Sequence, residues 1–326
     1  MTFTILGTGS ELGSDVVTNS QISEQLGTTG EWLVARTGIF ERRQASGNER
    51  TSTLAIAASR RALEMAGTDP AELDAIVCST ITPDHPQLPS TGCLIQAELG
   101  ASRAFAFDVA AACSGFLFGL EIGAGFIGSK RCSKVLVIGA ELMTRITDGT
   151  DLPTTALFAD GAGAAVLSAA NGKSGLLASD AGSDGSCWDY IAITAGGSNR
   201  PACHETVAER GHFMKMRGQE LFRMAVRKMS EASRNVLSKA NVDLSDLKLI
   251  IPHQANSRIT DALIKDLGIE HDRVFSNISH IGNTSAASVP IALDQCVRSG
   301  RIERGDLVLL TAFGGGVTWG ATLLRW

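Results

Sequence analysis

No two cysteines of this chain form a C-x-x-C pair, no long run of lysine and arginine interrupts it, and no apolar stretch is long enough to span a bilayer. Each absence excludes a class. The seven cysteines, Cys78, Cys93, Cys113, Cys132, Cys187, Cys203 and Cys296, are scattered and odd in number, which argues against a disulfide or zinc framework and for a reducing compartment. A net charge of −5 and a pI near 5.7 give nucleic acid no general attraction. The most apolar segment, Phe116 to Gly128, is broken by Glu121 and flanked by Lys130 and Arg131, so it reads as a buried helix. The start, Met1 to Gly7, carries no basic residues ahead of a short apolar stretch, unlike a signal peptide, and the expected location is cytoplasmic. The sequons at Asn277 and Asn283 are then chance matches.

What is present is a large apolar fraction: 44% of 326 residues against 19% charged, enough for a sizeable core of one or two domains. No Pro/Ser-rich linker divides the chain, yet its halves echo one another at an offset of roughly 170 residues. Ala62-Leu63-Glu64-Met65-Ala66-Gly67, followed by Asp69, Glu72, Leu73, Ile76 and Val77, recurs as Val236-Leu237-Ser238-Lys239-Ala240-Asn241, followed by Asp243, Asp246, Leu247, Ile250 and Ile251. Each copy reads helix, turn, buried strand. The Cys113 segment with its helix and the strand Lys134 to Gly139 is echoed by the Asn283 segment, a helix and the strand Leu307 to Thr311. Strands alternating with helices predict an α/β fold, with halves 1–171 and 172–326. Gly7-x-Gly9-x-x-x-Gly13 has the wrong spacing for a dinucleotide-binding turn and reads as a turn after the first strand.

Cys113 follows Phe107-Asp108-Val109-Ala110-Ala111-Ala112 and precedes Ser114-Gly115-Phe116, so a thiol sits where a strand gives way to a helix. Aligned peptide dipoles and free N–H groups there favour thiolate and are expected to lower the cysteine pKa. By itself such a cysteine is more often a buried small hydrophobe. Two later segments change that judgement: Ile251-Pro252-His253-Gln254-Ala255-Asn256 and His280-Ile281-Gly282-Asn283-Thr284-Ser285-Ala286-Ala287-Ser288.

With these three segments the chain resembles the 3-oxoacyl-[acyl-carrier-protein] synthase III family of the thiolase superfamily. Further matching stretches run from Glu31-Trp32-Leu33-Val34-Ala35-Arg36-Thr37-Gly38-Ile39 through Phe158-Ala159-Asp160-Gly161-Ala162-Gly163 to Ala312-Phe313-Gly314-Gly315-Gly316-Val317-Thr318-Trp319-Gly320, so the resemblance covers essentially the whole chain. It implies a thiolase-like α/β fold of two duplicated halves in helix, sheet, helix, sheet, helix layers, αβαβα. It also implies a homodimeric acyltransferase, a ketosynthase that moves an acyl group onto Cys113 and condenses it with malonyl-acyl carrier protein, with loss of carbon dioxide, to start fatty-acid synthesis. Cys113 is then the nucleophile, the backbone N–H groups of Cys113 and Gly315 an oxyanion hole, and His253 and Asn283 the donors that stabilise the enolate. No metal and no resident cofactor are implied, coenzyme A thioester being a substrate. Without the family, His253 reads as a structural histidine after a strand and Asn283 as a helix N-cap.

Thr28-Thr29-Gly30-Glu31 has the form of a capping box, with Trp32 and Arg36 following on one helical face. Indole and guanidinium there can clamp a nucleotide, and the resemblance places Thr28, Trp32, Arg36, Gly218 and Phe222 at coenzyme A. One position departs from the family: Leu152 stands where an arginine is usual, which puts the identity of the acyl donor's carrier in question. Arg223, Arg258 and Lys265 fall at the carrier-docking positions, and Leu88 at the end of the acyl pocket, reached across the dimer. Other chemistries fit less well. A papain-like hydrolase shares the Cys, His, Asn order but not the sequence around its cysteine. A degradative thiolase needs a second cysteine in place of the His/Asn pair. An inactive carrier-binding partner would not need the three residues intact. A ketosynthase of specialised metabolism with a different donor or acceptor stays open.

Overall fold

The computed structural model describes residues 2–86, 88–170, 172 and 174–326; Asn171, the last residue of the first half as read from sequence, lies outside the described residues. Five strands form the first sheet: β1 (Phe3–Leu12), β2 (Ala75–Ser79), β3 (Phe105–Val109), β4 (Lys134–Leu142) and β5 (Asp160–Ala169), in the order β1-β5-β4-β2-β3. Four form the second: β6 (Gly175–Ser183), β7 (Leu249–Pro252), β8 (Leu307–Gly314) and β9 (Thr318–Arg325), in the order β7-β8-β9-β6. The second order repeats the first. β6 stands where β1 does, β9 where β5 does, β8 where β4 does, and β7 where β2 does. β2 runs parallel to β4, as β7 does to β8. Among the described residues the place of β3 is taken only by a single bridge from Val274 to Ile250.

Seven helices make the other layers: α1 (Gly30–Thr37), α2 (Thr51–Ala66), α3 (Thr91–Leu99), α4 (Gly115–Gly128), α5 (Gly218–Ala240), α6 (Ser257–Leu267) and α7 (Ser288–Arg298). α2 and α3 cover the outer side of the first sheet, α5 with α6 the outer side of the second, and α4 with α7 fill the space between the sheets. The layering is therefore αβαβα. β2 and β7 are apolar without alternation because both of their faces are covered, every residue of each being buried. The central layer buries Phe116 and Leu120 of α4 with Val289 and Leu293 of α7, against Val77 and Val135 of one sheet and Leu310 of the other. Burial of that kind stabilises by about 1.5–3 kcal/mol for each large side chain. Among the described residues no helix is long and apolar enough to cross a membrane.

Two readings need correction. Gly7 and Gly9 lie inside β1, not in a turn, and their role is close packing: a Cβ at Gly9 would lie 2.2 Å from the Ala58 carbonyl oxygen of α2. β4 and β8 also run three residues past the expected ends, Gly139 and Thr311, to Leu142 and Gly314. Both extensions reach the site described below.

At Gly139 a side chain would place its Cβ 2.3 Å from the Ala286 carbonyl oxygen, so the first sheet and the turn before α7 meet backbone to backbone. Gly139→Ala is expected to lower stability by about 1–3 kcal/mol, the usual cost of overpacking. A guanidinium melt with a lower midpoint and unchanged slope would show it; an unshifted midpoint would mean that the turn can move aside.

Candidate active site

Cys113 sits in a one-turn helix, Ala112–Ser114, that leads from β3 into α4. To make this turn Ala112 adopts φ 45°, a left-handed conformation that non-glycine residues rarely take. From the other sheet Gly314 comes so close that a Cβ on it would lie 2.6 Å from the Cys113 nitrogen. Only glycine fits there. The expected low thiol pKa is not found: burial pushes it up to about 12, the Glu141 carboxyl adds to the rise, and a hydrogen bond from Ser285 offsets only part. Desolvation of the charged form here outweighs the donors at the helix start.

His253 follows β7, with its backbone N–H donating to Thr311 O at 2.7 Å. Its ring is buried, with Nδ1 2.6 Å from Ser288 Oγ at the start of α7. Burial holds its pKa down at about 3, so the imidazole is neutral at any ordinary pH. Asn283 is pinned on both sides of its backbone, donating to Leu157 O and accepting from Ala159 N–H, each at 2.9 Å. Its Oδ1 accepts from the Ser285 backbone N–H at 2.9 Å, while Nδ2 is 3.5 Å from Ala255 O. The N-cap reading of Asn283 is thus true in part, and it leaves the amide NH₂ as the group presented to the cavity. Asn256 accepts from Arg258 N–H at 2.9 Å to cap α6 and donates to Arg36 O at 3.0 Å, which ties α1 to α6.

One cavity of about 700 Å³ joins these groups: Cys113, His253, Asn283, Gly314 and Gly315 line it together. Arg36, Gly218, Phe222, Arg223 and Arg258 line it as well. Of the coenzyme A set, Thr28 and Trp32 stand outside the lining. Trp32 is 39% exposed, with the Arg36 guanidinium over its ring at 5.4 Å. The expected capping box does not form: the N-cap is Thr29, whose hydroxyl accepts from Trp32 N–H, and Glu31 falls one position short of the place from which it could return a bond. Leu152 is half-buried against the cluster of Ile22, Leu33 and Ala156. Lys265 is exposed, two turns along α6 from Arg258, and Leu88 is 86% exposed, away from this cavity.

Three site residues escaped the sequence reading: Glu141, Ser285 and Ser288. The two serines lie inside the quoted Asn283 segment, but nothing in their spacing assigns them a partner. Glu141, on the extension of β4, is fully buried. Its Oε2 accepts from Thr82 Oγ1 at 2.6 Å, Ile81 N–H at 3.1 Å and Thr80 Oγ1 at 3.2 Å, and its Oε1 lies 3.3 Å from Ser285 Oγ. Ser285 Oγ lies 3.4 Å from Cys113 Sγ. Burial pushes the Glu141 pKa up to about 7 despite these bonds. The one available signal was an acid at the end of an apolar strand.

The family model for 3-oxoacyl-[acyl-carrier-protein] synthase III matches residues 107–185, and that for the family's C-terminal region matches residues 237–326. The chain is 46% identical over 322 residues to beta-ketoacyl-[acyl-carrier-protein] synthase III of Caldanaerobacter subterraneus subsp. tengcongensis, covering 99% of this chain and 97% of that protein. It is 47% identical over 326 residues to the protein of that name in Desulfotalea psychrophila, covering all of both. The crystal structure of 3-oxoacyl-[acyl-carrier-protein] synthase III from Aquifex aeolicus VF5 superposes with a TM-score of 0.92 at 44% identity, covering 99% of this chain and 100% of that one.

The raised pKa of Glu141 has a consequence for stability. An unfolded glutamate ionises near 4.5, whereas the folded one holds its proton to about 7, so the stability conferred is full below pH 4.5 and is lost as pH rises to 7. Glu141→Gln, which stays neutral, is therefore expected to melt at a higher temperature than the parent at pH 8 and to lose that advantage at pH 4.5. An equal difference at both pH values would mean that Glu141 carries no buried charge.

Proposed function

The chain belongs to the 3-oxoacyl-[acyl-carrier-protein] synthase III family, and on that premise we propose how its own residues divide the work of a condensing enzyme of fatty-acid synthesis. The observation that carries the proposal is the cavity that Cys113, His253 and Asn283 share, with His253 buried and neutral. The Cys113 sulfur attacks the carbonyl carbon of an acyl thioester, and the backbone N–H groups of Cys113 and Gly315 hold the oxyanion until the first thiol leaves. A malonyl thioester then enters. Its C–C bond to the carboxylate breaks, carbon dioxide departs, and the electron pair moves onto the thioester oxygen as an enolate. A neutral imidazole with Nδ1 accepting from Ser288 Oγ–H carries its proton on Nε2 and donates it as a hydrogen bond to that oxygen, together with Asn283 Nδ2–H. The enolate carbon attacks the acyl carbon and expels the Cys113 thiolate. Side chains and backbone carry every step, and coenzyme A enters as substrate.

The acyl donor's nucleotide handle is assigned to Trp32 and Arg36, which already stack, with Thr28 just before them in sequence and Gly218 and Phe222 lining the same cavity as Arg36. Leu152 has no charge to give that handle, and its side chain packs against the cluster of Ile22, Leu33 and Ala156. Malonyl-acyl carrier protein is assigned to the basic rim of Arg223 and Arg258, continued by Lys265; among the described residues none of the three is ion-paired. A homodimer is assigned to β3, an edge strand that among the described residues pairs only with β2 and leaves Phe105 36% exposed. Leu88 then extends toward the partner subunit. Seven unpaired cysteines support a reducing, cytoplasmic setting.

Cys113→Ala should abolish self-acylation seen by intact mass, with the acyl group of the parent mapping to Cys113 alone. His253→Ala and Asn283→Ala should each retain self-acylation yet slow malonyl decarboxylation by ~10²-fold or more, the scale of losing an oxyanion donor. Equal loss of both half-reactions would leave the two residues a structural role only.

Leu152→Arg should lower the KM for acyl-coenzyme A by ~2- to 10-fold, for one charged contact worth about 0.5–1.5 kcal/mol. Arg258→Glu should weaken use of carrier-borne malonyl groups most at low salt. An unchanged KM in folded Leu152→Arg, with coenzyme A already held tightly by the parent, would place the nucleotide contact elsewhere.

A further inference from the structure

We propose that Glu141 receives the proton of the Cys113 thiol through the hydroxyl of Ser285. The inference rests on the reading of Cys113 as nucleophile and asks what that reading leaves open, namely where the thiol proton goes before the sulfur attacks. His253 is not its acceptor. With Nδ1 held by Ser288 Oγ at 2.6 Å and Nε2 carrying the proton that stabilises the enolate, the ring has no free lone pair facing the cavity.

The arrangement around Glu141 supplies the alternative. Ser285 Oγ lies between Cys113 Sγ at 3.4 Å and Glu141 Oε1 at 3.3 Å. A hydroxyl has one hydrogen, so it cannot serve both neighbours at once. When Glu141 is ionised that hydrogen turns to Oε1, and the Ser285 oxygen is left to accept from the thiol. The other carboxylate oxygen is already committed. Thr82 Oγ1 accepts from Leu142 N–H at 2.8 Å, and Thr80 Oγ1 from Thr82 N–H at 3.1 Å, so each has its own hydrogen left to give to Oε2, beside the Ile81 N–H. An arriving proton therefore has Oε1 as its place. These distances are long for the transfer itself, and catalytic contacts of this kind shorten when substrate binds.

The step balances. The thiol proton passes to Ser285 Oγ as the serine proton passes to Glu141 Oε1; the sulfur pair forms the S–C bond to the acyl carbon, and the coenzyme A thiolate that leaves takes a proton from water. After condensation expels the Cys113 thiolate, Glu141 returns its proton along the same path. One proton is drawn from solvent per turnover, as loss of carbon dioxide from a carboxylate requires.

Few charged groups perturb this path. Glu141 raises the pKa of two thiols in part, Cys113 and, on β2, Cys78. Asp160, paired with Leu142 across the sheet, spends its carboxylate on Ala45 N–H and on the N–H and hydroxyl of Thr144. Among the described residues no lysine, arginine or histidine bonds to Glu141. A thiol pushed up to about 12 needs a base, and a carboxyl pushed up to about 7 has the strength to act as one near neutrality.

The test measures single-turnover acylation of Cys113 by acetyl-coenzyme A with intact-mass detection, across pH 5.5 to 9.5, with iodoacetamide alkylation of Cys113 as a substrate-free second readout. The parent rate should level off once Glu141 is ionised. Glu141→Gln should be slower at pH 7 by ~10²-fold, at the low end for a positioned base, and should rise about tenfold per pH unit without levelling. Ser285→Ala should show the same profile, and the double variant should be no slower than either single one, because both interrupt one path. Either single variant matching the parent's rate and pH profile would overturn the relay while leaving Cys113 the nucleophile. A parent acylated elsewhere than Cys113 would instead overturn the reading on which the relay rests. Should Glu141→Gln fail to fold, Ser285→Ala carries the test alone, since its backbone bond to Asn283 is kept.

Discussion

Two helix starts meet at the centre of this molecule, and the reactive groups are placed by that meeting. The turn Ala112–Ser114 opens α4 and the turn Ser285–Ala287 opens α7, and the two pack against each other between the sheets. Each is entered through a left-handed residue, Ala112 at φ 45° and Ser285 at φ 50°. Such conformations cost of order 1–3 kcal/mol apiece and persist only where the surroundings dictate them. Here glycines permit the dictation. Gly314 lets one sheet touch Cys113, and Gly139 lets the other touch Ala286, at distances no side chain allows. The sulfur of one turn and the serine of the other are thereby brought within 3.4 Å.

The same enclosure sets the electrostatics. Removing water penalises whichever form of a group is charged, so His253 stays neutral, the Cys113 thiol stays protonated, and Glu141 keeps its proton to about 7. For His253 the penalty is useful as it stands, because a neutral imidazole is a donor that needs no proton taken up beforehand. For Cys113 it is an obstacle. Helix-start donors favour thiolate, but burial wins, and the sulfur becomes reactive only if its proton has somewhere to go. For Glu141 burial outweighs the hydroxyl and N–H donors that favour its charged form, and among the described residues no cation bonds to it, which keeps its proton affinity high enough to matter.

Local signals carried the fold far. Uninterrupted apolar runs at Ala75–Ser79 and Leu249–Pro252 mark strands buried on both faces, and the repeat of helix, turn and strand marks the duplication that the two sheets display. Cys113, His253 and Asn283 stand in the long segments that carry the family resemblance, and that resemblance, not their own spacing, singled them out; the structure brings the three to one cavity. Their pKa values were not legible, since desolvation depends on layers contributed by distant parts of the chain. Glu141 and Ser285 are 144 residues apart, and no spacing rule joins them. Both strands run three residues past Gly139 and Thr311, and at Gly139 the missing side chain is what lets the strand pass a tightly packed neighbour contributed from far along the chain. The cap at Thr29 shows the smaller error, two adjacent threonines between which sequence cannot choose.

The duplication also shows how one architecture holds two different chemistries. By their places in the matching strands and turns, Cys113 corresponds to Ala286, Ser79 to His253, Gly115 to Ser288, and Glu141 to Gly314. Ser79 Oγ donates to Gly115 O at 2.7 Å in the first half, and His253 Nδ1 meets Ser288 Oγ at 2.6 Å in the second, so the same end-of-strand to helix-start contact is kept with its chemistry exchanged. Where one half carries Cys113, the other carries Ala286, which keeps the turn compact. Where one needs an acid at the strand end, the other needs a glycine through which the sheet can reach the cysteine. Cys113 from one half and His253 and Asn283 from the other line one cavity, so the paired scaffold gives each half its own share of the groups proposed to act there.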